Sequence, residues 1–288
     1  MKLNKDTIYT LWSIAILILV LISIFALFFA ACAKQETKTS FDVQPVGPSA
    51  TIQEPREEDA TQVPQQAEET SSEEPETVPT RLEETADAGR AYLDRITFLG
   101  DSTTYGIGYY HGQGYSELCP DTQIWTPASG TLTLSYHSIA TIVYPETGEE
   151  ISIVEAATRS QPDILLITLG VNGVSFMDEA WFISDYTTLV ESIRQVSPDT
   201  KIILNSIYPV AASYKLQNEI NNDKIRAANG WVERVAAETG CRFLYSFECL
   251  IGDDGYLPES SQNGDGIHLT GEAFTEVMHY IRTHALPD

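Results

Sequence analysis

The chain has 288 residues, 43% of them hydrophobic, and its 41 acidic against 17 basic residues give a formal net charge of −24. That charge argues against recruitment to DNA, RNA or anionic lipid by the protein's own field, and no basic patch or RNA-binding aromatic pattern offsets it. The length allows one or two domains. The four cysteines, Cys32, Cys119, Cys241 and Cys249, form neither a Cys-x-x-Cys pair nor a zinc-spaced cluster.

From Ile8 to Cys32 no residue is charged and most are apolar. About 20 such residues cross a bilayer as a helix, whereas the apolar part of a cleaved signal peptide has only about 7–15. Lys2 and Lys5 precede the run and point to a cytoplasmic N-terminus; Lys34 and Lys38 follow it and weaken that bias. The expectation is a single-pass transmembrane anchor over residues 1–32. A second reading stays open, because Phe29-Ala30-Ala31-Cys32 resembles a bacterial lipobox in which Cys32 is lipidated after cleavage. Both readings put the rest of the chain on the outer face of a membrane. Residues 33–88 are rich in Glu, Pro, Thr, Gln and Ser and have no apolar periodicity. Such a segment buries too little surface to offset its ordering entropy, so it reads as a disordered acidic tether. The folded domain is expected over residues 89–288.

Within that domain the pattern alternates strand and helix. "RITFLG" is a short apolar run ending at Gly100, a buried strand. The Gly- and Tyr-rich stretch 105–115 reads as a surface loop. Residues 122–127 form a weaker strand candidate, and 131–143 fit either helix or strand. Residues 149–161 read as a helix stopped by Pro162. Clear buried strands lie at 163–170 and 200–209. Helical spacing runs over 178–196 and over 221–240, the second closed by Gly240. Residues 241–246 read as a strand and 270–286 as a final helix. This alternation predicts a parallel sheet with helices on both faces, with the chemistry at the carboxyl ends of the strands. The three cysteines in this region are expected as buried or free thiols, with a Cys241–Cys249 bridge as the alternative.

Three predicted strand ends and loops carry reactive residues. Ser102 follows the first strand in "FLGDSTTYG", Asn172 follows another in "ITLGVNG", and Asp265 and His268 stand in "NGDGIHLT" before the last helix. A serine hydroxyl is a poor nucleophile near neutrality and needs a base, which in turn needs a group to orient it. His268 can be that base, and Asp265, three residues earlier, can reach its ring within one turn. A side-chain amide such as Asn172 can donate to a developing oxyanion.

Taken together, these segments resemble the SGNH/GDSL hydrolase family. Gly100-Asp101-Ser102 matches its first block, Gly170-Val171-Asn172 a later one, and Asp265-Gly266-Ile267-His268 its last. Ser129-Gly130 in "WTPASGTLTL" matches the block with the oxyanion glycine, with Thr131 where Asp is common. Two further positions depart from the family pattern: Thr103 replaces Leu, and Gly173 replaces the Asp that usually follows the asparagine. The resemblance covers roughly residues 95–285, and the wording of the blocks is similar to membrane-anchored members from Gram-positive gut bacteria. It implies a flavodoxin-like three-layer α/β/α sandwich with about five parallel strands, and neither metal nor organic cofactor. It further implies a Ser102–His268–Asp265 triad and an oxyanion hole made by the Ser102 and Gly130 N–H groups and the Asn172 amide.

Tyr105, Tyr109 and Tyr110 are candidate substrate-binding residues, since their rings offer flat faces beside polar handles. Trp125, Tyr136 and Trp181 read as core before subsite. His111, His137, His279 and His284 read as packing or surface residues, and Asn221, Asn222 and Lys224 as part of a solvated helix face. The expected activity is an extracytoplasmic serine esterase that removes short acyl groups, acetyl first, from a carbohydrate through an acyl-enzyme. The rival readings are a lipase or thioesterase on lipid esters, and a catalytically weak glycan-binding module of the same fold.

Overall fold

The computed structural model describes residues 79–287. The expected anchor over 1–32 and residues 33–78 of the expected tether lie outside the described residues. Among the described residues, no helix is long and apolar enough to cross a membrane.

A short helix α1 (Gly89–Leu93) leads into strand β1 (Ile96–Gly100), and helix α2 (Ser102–Gly112) follows at once. Strand β2 (Ile124–Trp125) comes next, then a hairpin of β3 (Thr141–Val143) and β4 (Glu150–Ser152), helix α3 (Ile153–Ser160) and strand β5 (Ile164–Thr168). Helix α4 (Glu179–Val196), strand β6 (Lys201–Asn205), helix α5 (Asn222–Thr239) and strand β7 (Arg242–Leu244) continue the alternation. A single turn α6 (Phe247–Leu250) and helix α7 (Gly271–Thr283) complete it.

Five strands form one parallel sheet in the order β2-β1-β5-β6-β7, while β3 and β4 pair antiparallel outside it. Counting only the sheet strands in chain order, this is the 2-1-3-4-5 arrangement of flavodoxin-like sheets. The central strand β5, "ILLIT", is buried at every position because helices cover both faces. Its side chains alternate between two cores. Leu165 and Ile167 join α3, α4 and α5 on one face; Ile164 and Leu166 join α1, α2 and α7 on the other. Each large apolar side chain so buried contributes about 1.5–3 kcal/mol.

Local signals set the helix ends. Asp178, Asn221 and Thr270 accept hydrogen bonds from the backbone N–H groups of Trp181, Lys224 and Ala273, capping α4, α5 and α7. Helix α3 stops at Gln161, which adopts the left-handed conformation just before Pro162.

Several expectations need correction. The domain starts before residue 89: Leu82 is buried, its N–H donates to the Phe243 carbonyl, and the Phe243 N–H donates to that of Thr80. This strap pairs with the outer edge of β7 and protects it. Residues 105–112 are helix, not loop. Two of their glycines sit where neighbours come close: a Cβ on Gly106 would strike the Phe274 ring, and one on Gly108 the Asp121 carboxylate. Residues 149–161 divide into the end strand of the hairpin and α3, with Ser152 as the cap. The ambiguous 131–143 segment resolves into a 3₁₀ turn at Leu134–Tyr136 and strand β3. Trp125 is core as expected, but Tyr136 and Trp181 are exposed. Cys119, Cys241 and Cys249 are free thiols, so the Cys241–Cys249 bridge is not formed.

Candidate active site

The turn after β1 is shaped by close approach. A Cβ on Gly100 would lie 2.6 Å from the Thr168 carbonyl and collide with the Thr104 side chain, so only glycine lets the strand end run this tightly into α2. Asp101 then caps the helix, its Oδ1 accepting from the Thr103 N–H (3.0 Å) and Thr103 Oγ1 (2.8 Å). Ser102 becomes the first residue of α2. Its N–H therefore has no partner within the helix, and it sits at the positive end of the helix dipole.

His268 comes from the opposite end of the sequence. Its Nε2 lies 2.8 Å from Ser102 Oγ, and its Nδ1 lies 2.6 Å from Asp265 Oδ2. Asp265 Oδ1 accepts two backbone bonds, from Ile267 (2.9 Å) and His268 (3.0 Å), so one carboxylate both shapes the loop and faces the imidazole. Burial pushes the Asp265 carboxyl upward. The bonds from His268 and Ile267, with the His268 charge, outweigh this and hold it below the usual carboxylate range. Gly266 sits between them at φ +86°, where a Cβ would come within 2.9 Å of Tyr214 backbone and side-chain atoms. Gln262 Oε1 accepts from the Gly266 N–H (2.9 Å) and fixes the same loop.

Asp101 is buried at 1% exposure. Burial pushes its carboxyl up to about 6, against the opposing effects of the Thr103 hydrogen bonds and the His268 charge. The thiols offer no rival nucleophile among the described residues with those shifts: burial pushes Cys119 and Cys249 up to about 12. Among the described residues no group of three or more His, Cys, Asp or Glu is placed to hold a metal ion.

The three expected oxyanion donors follow β1, β2 and β5, adjacent strands at the topological switch point of the sheet. Asn172 Nδ2 donates to the Leu132 carbonyl (3.1 Å), which orients the amide and leaves it a second N–H. Gly173 has no room for a side chain, since a Cβ there would lie 2.6 Å from Met177 Sδ. The turn it begins is closed by bonds from the Phe176 and Met177 N–H groups to its carbonyl. Gly130 differs from expectation. It is buried at φ +71°, and its N–H already donates to the Pro127 carbonyl at 2.8 Å. To serve an oxyanion, that turn has to open or share its hydrogen.

Beside the Ser102–His268 pair lies a cavity of about 450 Å³ whose lining includes Tyr105, Tyr109 and Tyr110. Tyr105 and Tyr109 are half exposed and stacked, with ring centroids 6.4 Å apart, and Tyr110 meets Tyr109 edge-on at 5.1 Å. The sequence reading missed Asn263, Leu269 and Phe274 in this lining; only their closeness to the Asp-x-x-His block and to the last helix pointed there. Other residues serve the scaffold. Asn222 and Asn229 exchange hydrogen bonds with the backbone of Val210 and Ile207, and Lys224 Nζ donates to the Asn218 and Glu219 carbonyls. His284 stacks on Tyr280, and His279 lies 3.7 Å from the Asp87 carboxylate.

Residues 98–274 match the model of the GDSL-like lipase/acylhydrolase family. No curated protein sequence matches the chain. Similar solved structures include a GDSL-like lipase from Bacteroides thetaiotaomicron, at 20% identity over 65% of this chain and 85% of that one, TM-score 0.45. A carbohydrate esterase family 3 protein from Talaromyces cellulolyticus matches at 15% identity over 65% and 92%, TM-score 0.41. The periplasmic domain of a lipopolysaccharide acetyltransferase from Salmonella ser. Paratyphi A matches at 16% over 66% and 81%, TM-score 0.42. The family match spans more than half of the sequence and encloses Ser102, Asp265 and His268: the chain belongs to the GDSL-like lipase/acylhydrolase family and is an ester-cleaving serine hydrolase.

Proposed function

We propose that the protein is a serine esterase that removes short acyl groups, acetyl foremost, from a carbohydrate. The observation that carries the reading is the continuous Ser102–His268–Asp265 relay beside a tyrosine-walled cavity. His268 takes the proton as Ser102 Oγ attacks the ester carbonyl, and Asp265 stabilises the imidazolium that forms. The Ser102 N–H and the free Asn172 N–H hold the oxyanion, and the Gly130 N–H joins them if its turn opens. The protonated His268 then gives its proton to the leaving sugar hydroxyl. Water, activated by the same imidazole, attacks the acyl-enzyme, releases acetate and restores Ser102. The tyrosines favour a sugar over a long acyl chain, because each presents a flat face with a hydroxyl at its rim. The acidic composition favours a neutral substrate.

The location belongs to the same proposal. The uncharged run from Ile8 to Cys32 supports attachment to a membrane, as a helix or through a lipid on Cys32, with the hydrolase domain outside. The test of the activity is acetate release by the full-length protein from acetylated glycans, compared with p-nitrophenyl esters of increasing chain length and with Ser102→Ala. Turnover confined to long-chain esters overturns the carbohydrate reading. Intact mass of membrane-extracted protein separates a helical anchor from a lipidated Cys32.

A further inference from the structure

We propose that a second sugar subsite lies across the Tyr105–Tyr109 ridge from Ser102, so that the substrate is a neutral oligosaccharide or polysaccharide chain. This extends the esterase reading above and rests on it. The two tyrosines line both the cavity at Ser102 and a second one of about 610 Å³. They stand one helical turn apart on α2, exposed to 48% and 50%, with ring planes inclined by only 27°. Successive helix residues are about 100° apart. Gly106 and Tyr110 therefore fall on the side of the first cavity, and Gly108 and Gly112 on the side of the second. The tyrosines form a crest between two hollows.

The second hollow is built for a ligand with hydroxyls. Gly108 and Gly112 line it on the helix side, and Gly108 leaves room for the Asp121 carboxylate against the helix. Thr122 and Thr126 add hydroxyl groups, and the β3–β4 hairpin closes the far side through Val143, Pro145 and Gly148. That hairpin pairs outside the main sheet and is tied to the end of β2 by the Val143 N–H, which donates to the Thr126 carbonyl at 2.9 Å. Among the described residues no lysine or arginine lines either hollow and Asp121 is the one charged residue in the second, which disfavours an anionic ligand. Asp121, Thr122 and Thr126 set polar groups among the apolar Ile124, Pro127, Ala128, Val143 and Pro145, a mixed lining of the kind a sugar's apolar faces and hydroxyl rim require. Helix α2, at 11 residues, extends about 16 Å, so a chain laid along and over its crest presents several units while only one is at Ser102. Aromatic faces and hydroxyl partners on both sides of the crest give each further sugar its own contact.

The experiment uses the full-length protein with the probes xylose and xylotetraose, and N-acetylglucosamine and chitotetraose. Binding to Ser102→Ala is measured by titration calorimetry, so the readout needs no turnover. The expected result is at least about tenfold tighter binding of the tetramer in one series, equal to about 1.4 kcal/mol. Thr122→Trp, which fills the second hollow, and Tyr109→Ala, which removes half the crest, are each expected to abolish that ratio, with folding checked by circular dichroism. Acetylated forms of the same sugars are then compared with Ser102 intact, where the preference is expected in KM. Equal binding of monomer and tetramer in both series overturns the subsite, as does a ratio that survives both variants. Absence of Ser102-dependent hydrolysis of p-nitrophenyl acetate instead overturns the esterase reading, and the binding ratio still decides the subsite.

Discussion

Asp101→Asn is expected to change the pH dependence of stability in a defined way. Asp101 is fully buried beneath the nucleophile, with its carboxyl pushed up to about 6 by burial. In the unfolded chain an aspartate titrates near 3.9. The two-unit gap corresponds to about 3 kcal/mol between the acid and neutral limits. Because the folded value is the higher one, this contribution favours the fold below about pH 4, declines as pH rises through 6, and is gone above it. Between pH 5 and 8 the wild-type protein loses about 1.4 kcal/mol from this group alone. Asparagine keeps an acceptor for the Thr103 N–H and hydroxyl but cannot ionise, so the variant loses nothing over that range. Its buried amide N–H groups add a constant offset of about 1–3 kcal/mol unless they find partners. The offset cancels when the difference between the two proteins is followed against pH. Urea unfolding of both proteins from pH 5 to 8 measures it: the variant is expected to gain about 1.4 kcal/mol on the wild type across the series. A difference that stays flat would refute the reasoning, because it would mean that the buried carboxyl keeps its ordinary acidity.

Four further outcomes follow from the geometry. Ser102→Ala is expected to abolish p-nitrophenyl acetate turnover and labelling by a fluorophosphonate probe, and labelling that persists would place the nucleophile elsewhere. Asp265→Asn removes the carboxylate that orients His268 and is expected to lower kcat about 10⁴-fold with little change in KM. Asn172→Ala is expected to cost about 10²–10³-fold in kcat, and a smaller loss would mean that the oxyanion relies on the Ser102 and Gly130 N–H groups. Gly106→Ala drives a methyl into the Phe274 ring and is expected to destabilise the fold by about 1–3 kcal/mol, read as a lower urea midpoint.

The legibility of this chain differed from element to element. "DILLITLG" and "FLG" are apolar runs too short for helices and bounded by glycine, so their strand character follows from hydrophobic pattern alone. The long helices α4 and α5 announce themselves by spacing and by their caps at Asp178 and Asn221. Helix α2 did not. Its three glycines lower helix propensity, and the use of two of them, Gly106 and Gly108, which let Phe274 and Asp121 approach the backbone, depends on residues distant in the chain. The strap at Thr80–Leu82 was hidden for a similar reason. Its composition is that of the acidic segment before it, and only the free edge of β7 gives it a partner.

The sequence by itself determined the alternation of strand and helix, the acidic character, and the chemical identity of Ser102, Asp265, His268 and Asn172, because these reside in local pattern and side-chain chemistry. The tertiary structure alone decided what meets what. It brings His268 to 2.8 Å from a serine 166 positions away, because the 2-1-3-4-5 strand order opens a crevice at the ends of β1 and β5. It also commits the Gly130 N–H to Pro127, buries Asp101, and raises the two tyrosines into a crest between hollows. Distances, burial and shared cavities depend on packing between segments far apart in the chain, and no local pattern records them.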